Sequence, residues 1–98
     1  MNRPFSPAVN GAVRIAATTA SANVTLNANG TTLYVYNGNN QTAFVELGGT
    51  ANINTSLPIP TGGKVLLDKG SATVVAAITA VASNNGNVTI VTGTGNVI

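Results

Sequence analysis

Along this chain apolar side chains recur at every second position over short stretches, the signature of strands with one face in a core and one in water. Val13, Ile15 and Ala17 alternate with Arg14 and Ala16, and Val24, Leu26 and Ala28 alternate with Thr25, Asn27 and Asn29. The same rhythm runs through Thr32 to Asn37, Thr42 to Leu47, Lys64 to Asp68 and Val88 to Thr92. Ala72 to Ala80 is more continuously apolar, as expected of a central strand buried on both faces. The gaps hold turn residues: Asn29-Gly30, Asn37-Gly38-Asn39-Asn40, Gly48-Gly49, Thr61-Gly62-Gly63, Lys69-Gly70 and Asn84-Asn85-Gly86. Asn and Gly accept the positive φ that tight hairpin turns require. Leu57-Pro58-Ile59-Pro60 lacks two ladder donors and reads as an extended crossing segment outside the sheets. Seven short strands at this spacing predict an all-β fold, a small antiparallel β-sandwich of jelly-roll-like or barrel-like form. Residues 1–10, with Pro4 and Pro7 around Phe5, read as an extended N-terminal arm, and residues 11–98 as a single sandwich domain.

Composition sharpens this picture. Asn, Thr and Ala supply 14 residues each and Val 12, a mixture that serves helix interiors poorly and pleated surfaces well. With 44% hydrophobic and 6% charged residues, the chain has too much apolar surface and too little charge for a disordered segment. The net charge of +2 rests on Arg3, Arg14, Lys64 and Lys69 against Glu46 and Asp68, too few cations for a nucleic-acid footprint. So little charge suits a protein held against neighbours in an assembly. Ala20-Ser21-Ala22 resembles a leader cleavage site, but Pro4, Pro7, Asn10 and Arg14 interrupt the stretch before it, and it is read as mature sequence. The longest near-apolar run, Val74 to Ala82, is about half of the roughly 20 residues a membrane helix needs, so no membrane partner is expected.

The chain has no Cys and no His, which removes disulfides, Cys/His metal sites, a thiol nucleophile, and an imidazole for acid-base work near neutral pH. No catalytic role and no cofactor are expected. Glu46 and Asp68 are the only pair from which a two-carboxylate hydrolase could be built, and ordinary solvated strand residues are the better reading of both. Gly62-Gly63-Lys64 lacks the Ser or Thr, the first Gly and the following helix of a phosphate-binding loop. Tyr34 and Tyr36 share a strand face with Phe44 nearby, an arrangement better explained by cross-strand packing than by base stacking. Matches to Asn-x-Ser/Thr at Asn23, Asn29, Asn40, Asn54 and Asn87 follow from the abundance of Asn and Thr.

Read in order, Pro4-Phe5-Ser6-Pro7, Leu33-Tyr34-Val35-Tyr36-Asn37, Thr42-Ala43-Phe44-Val45-Glu46-Leu47-Gly48, Pro58-Ile59-Pro60-Thr61-Gly62, Val75-Ala76-Ala77-Ile78 and Val88-Thr89-Ile90-Val91-Thr92-Gly93-Thr94-Gly95 span nearly the whole chain. This order resembles small head proteins of tailed bacteriophages, of the capsid decoration or cement type. The resemblance implies a β-sandwich, often a homotrimer, on the outer surface of the virion capsid, where it ties neighbouring major capsid subunits together without catalysis. On that expectation Arg3, Pro4, Phe5 and Pro7 of the arm are the candidate capsid-binding residues. A second expectation is a head or tail fibre or other attachment component, presenting Asn37 to Asn40 and Asn84 to Asn87 as glycan-binding loops, though the shortage of aromatics argues against sugar binding.

Overall fold

The computed structural model describes residues 4–26, 29–80 and 87–95. Among these residues eight strands form, β1 (Ser6–Ile15), β2 (Ala22–Thr25), β3 (Thr32–Asn37), β4 (Ala43–Leu47), β5 (Leu57–Ile59), β6 (Lys64–Asp68), β7 (Val74–Thr79) and β8 (Val88–Thr94). They build two antiparallel four-stranded sheets, a first with order β1-β8-β3-β6 and a second with order β2-β7-β4-β5. The first strand therefore pairs with the eighth, the second with the seventh, the third with the sixth and the fourth with the fifth. A long hairpin folded in this way and wound on itself is a jelly roll.

The alternation in the sequence decides what lies between the sheets. Leu33, Val35, Val88, Ile90 and Ile15 of the first sheet face Ala43, Val45, Val75, Ala77 and Ile59 of the second, and all are buried. β7 lies between β2 and β4, and its Val75, Ala76 and Ala77 are consecutively buried, as its unbroken apolar run predicts.

Two segments differ from expectation. Leu57–Ile59 is not outside the sheets but forms β5, with Pro58 in register with Phe44. The prolines decide its position rather than exclude it: β5 is an edge strand with one neighbour, where a missing donor is tolerated. Toward the N-terminus, β1 begins at Ser6 rather than near Val13, with Ser6 opposite Thr94 and Pro7 opposite Gly93. Pairing then breaks and resumes at Ala12 opposite Val91, so Ala8 to Gly11 bulge against Thr92 alone. The bulge has a sequence basis. Asn10 adopts φ 58°, a left-handed conformation that Asn tolerates better than most residues, and a Cβ on Gly11 would stand 2.8 Å from the Thr92 carbonyl oxygen.

One end of the sandwich is closed by amides rather than by apolar side chains. Asn37, fully buried at the end of β3, donates from Nδ2 to the carbonyls of Gln41 (2.8 Å) and of Ile59 on β5 (2.8 Å). Its Oδ1 accepts from the Asn39 backbone N–H at 2.9 Å. Asn39, also buried, donates from Nδ2 to Ala17 O at 3.3 Å and accepts from Gln41 N–H at 3.1 Å. Truncating Asn37 strands the buried Ile59 carbonyl, the partly buried Gln41 carbonyl and the buried Asn39 N–H. Asn37→Ala should lower unfolding stability by about 2–4 kcal/mol. The fully buried Thr92 hydroxyl has no hydrogen-bond partner among the described residues, so Thr92→Val should leave stability unchanged or raise it by up to about 1 kcal/mol. Urea unfolding of both variants, followed by circular dichroism, measures the contrast.

Candidate functional site

The two outer faces of the sandwich are built differently. On the second sheet, the connection from β4 to β5 runs back across the outside. The side chain of Asn23 donates to Gly49 O at 3.1 Å, Ala51 N–H donates to Ser21 Oγ at 2.9 Å, and Ser56 Oγ donates to Glu46 Oε1 at 2.9 Å. Asn23 and Glu46 flank Ala76 in register, and Ala76, although outward-facing on β7, is fully buried beneath this connection. Beside it lies a shallow open cleft of about 260 Å³, lined by Thr19, Asn52, Ile53, Asn54, Ile78 and Ala80 among others, none of them ionisable.

Among the described residues, no connection covers the outer face of the first sheet in this way. Register places Arg14, Thr89, Tyr36 and Lys64 in one row across its four strands, and Ala12, Val91, Tyr34 and Leu66 in the next. Tyr36 is 39% exposed, Arg14 and Lys64 are exposed, and Tyr34, Leu66 and Val91 are half-buried. At the far end of this face Phe5 packs on Tyr34, with ring centroids 5.8 Å apart and planes at 30°. Gly93 makes that packing feasible, because a Cβ there would stand 2.8 Å from the Phe5 ring. The face is thus an aromatic and aliphatic centre with a cation at each end of one row. Three strand spacings separate Arg14 from Lys64, about 14 Å.

These positions answer the sequence expectations one by one. Phe5 is half-buried against its own sheet, Pro7 lies within β1, and Pro4 is exposed just before it. Arg3 falls outside the described residues. Glu46 and Asp68 stand on the outer faces of opposite sheets, so the two carboxylates do not form an acid and base pair. Gly62-Gly63-Lys64 is the turn into β6, with Gly62 at φ 75°. Asn37 and Asn39 spend their amides inside the fold and present nothing to a glycan. Most of Asn84 to Asn87 lies outside the described residues.

The chain matches no protein-family model, no curated protein and no solved structure. The exposed face of the first sheet is the candidate functional surface, and much of it is not evident from the sequence alone. Val91, Leu66, Arg14 and Lys64 belong to it, and the available signal was that strands such as Leu33 to Tyr36 are apolar on both faces. Val9 was also missed. It sits in the β1 bulge and is 88% exposed.

Because Phe5 covers Tyr34 and Gly93, Phe5→Ala should cost about 1–3 kcal/mol. The melting temperature should fall, and tyrosine fluorescence of the folded protein should change as Tyr34 becomes wetter.

Proposed function

We propose that this protein is a virion structural protein of the head-decoration type, attached to the outside of a tailed-bacteriophage head through the outer face of its first sheet. The observation that carries this reading is the contrast between the two outer faces among the described residues: one is roofed by its own chain, while the other leaves Tyr36 exposed, with half-buried Leu66 and Val91 beside it, between Arg14 and Lys64. Exposed apolar centres with polar rims are the usual anatomy of protein-binding surfaces. Phe5 joins this face as a docked ring, with Pro4 and Pro7 on either side of it along the chain. The resemblance in the order of the sequence segments points to the same role and makes the major capsid protein the partner. The open carboxylate-free row between the two cations suits a partner surface carrying acidic groups.

Size shapes the mechanism. Four strands about 4.8 Å apart and five residues long give roughly 300 Å² of flat area, well below the roughly 800 Å² per partner of a stable interface. One copy would hold weakly. Self-association, in three copies as the resemblance implies or in another number, makes attachment multivalent, so modest contacts add through effective concentration.

Electron cryomicroscopy of heads assembled with and without the protein tests the reading. Density on the outer shell that vanishes when the protein is omitted supports it, and identical heads would overturn it. Tyr36→Asp and Arg14→Glu should each reduce retention on purified heads by tenfold or more, as an order of magnitude, while leaving the melting temperature nearly unchanged because both side chains point to solvent. Retention equal to wild type for both variants would remove this face from the interface.

A further inference from the structure

From the edge of the first sheet we infer that β6 pairs with β6 of a second copy of this chain, about a two-fold axis through Leu66. Four strands lie at sheet edges, and three of them carry features that discourage pairing. β1 contains Pro7 and the Ala8 to Gly11 bulge, β2 has four residues, and β5 has three, one of them Pro58. β6, Lys64-Val65-Leu66-Leu67-Asp68, has neither proline nor bulge.

Its hydrogen-bonding groups are set for a partner. Lys69 N–H donates to Thr31 O at 3.0 Å and Asn37 N–H donates to Gly63 O at 2.9 Å, so the odd-numbered positions serve the ladder to β3. The backbone N–H and C=O of Lys64, Leu66 and Asp68 therefore point away from the sheet. These are the positions that an antiparallel copy centred on Leu66 would engage, with two hydrogen bonds at each of three residue pairs, about six in all.

The charges choose the register. With Leu66 opposite Leu66, Lys64 of each copy stands opposite Asp68 of the other, giving two opposite-charge cross-strand pairs on the outer face. A slip of two residues loses both pairs, and a slip of four sets lysine against lysine or aspartate against aspartate. An edge lysine alone would repel a second copy; balanced by Asp68 at the other end, it makes the strand complementary to itself.

An apolar strip supports the same occupant. β1 lies against β2, so β6 and β5 border the opposite side of the sandwich. There Leu57 faces inward in register with Val45 yet remains 41% exposed, and Val65 and Leu67 are only half-buried. A second copy along β6 covers this open flank. It also joins two first sheets into one of eight strands. This two-fold contact is isologous and cannot close a three-fold ring, so it differs from the trimer implied by the resemblance. It holds or fails independently of attachment to a phage head.

Native mass spectrometry and sedimentation equilibrium of the full chain provide the test. The unmodified protein should be a dimer in exchange with monomer. Lys64→Asp and Asp68→Lys should each raise the dimer dissociation constant by about tenfold or more, because each turns two attractive pairs into repulsive ones. The double variant should recover the dimer, and mixing the two single variants should yield the mixed dimer in preference to either homodimer. Circular dichroism checks that each variant is folded. A monomer at all concentrations, a trimer, a dimer indifferent to both substitutions, or a double variant that stays dissociated would each overturn the inference.

Discussion

The carboxamide of Asn37 ties the two sheets together by a hydrogen bond. It leaves β3 in the first sheet and reaches the Ile59 carbonyl on β5 in the second, while Asn39 beside it holds the segment that follows β1. This matters because the core is made largely of Val, Ala and Ile, with Leu33 its largest fully buried side chain. Small side chains bury less area each, so the hydrophobic contribution per residue is modest. A buried amide with both donors and its acceptor engaged adds direction to that non-directional force, since it fits only one relative placement of the strand ends. Asn39 and Gln41 complete the closure through the backbone, which leaves the β3–β4 connection little freedom.

With the sandwich fixed at that end, the chain uses its connections unequally. The residues between β4 and β5 are committed to Asn23, Ser21 and Glu46 and cover one outer surface. No comparable connection crosses the other surface among the described residues, and only Phe5 lies on it. The glycine at position 93 shows how closely the pieces fit: the ring occupies space that any side chain there would claim. The proposed role in binding rests on this inequality rather than on any reactive group.

Much of the architecture was legible because period-two patterning is a local property. Leu33 and Val35 against Tyr34 and Tyr36, or Ala43 and Val45 against Phe44 and Glu46, announce a strand and its inner face without knowledge of its neighbours. Pairing is different, since nothing within Ser6 to Ile15 says that its partner is Val88 to Thr94. β5 escaped notice because two prolines argue against a central strand, and whether a strand is central or at an edge is a fact about the whole sheet. The face proposed for binding was hidden for a related reason. Arg14, Tyr36 and Lys64 lie far apart in sequence and become neighbours only through register. Asn37 and Asn39 looked like turn residues, and their burial depends on Ile59 and Ala17 arriving from elsewhere.

The pairing of β1 with β8 bears on how the chain reaches its native state. β1 is made first among the eight strands, yet its sheet partner is the last, so its ladder cannot form until nearly the whole domain has been synthesised. Before then Val13 and Ile15 have no partner strand in their sheet. Folding dominated by such distant pairings belongs to the slow end of the range for small domains, on the order of milliseconds to seconds. During that interval the nascent protein exposes apolar strand edges, and avoiding premature association is then a problem of timing as much as of final stability.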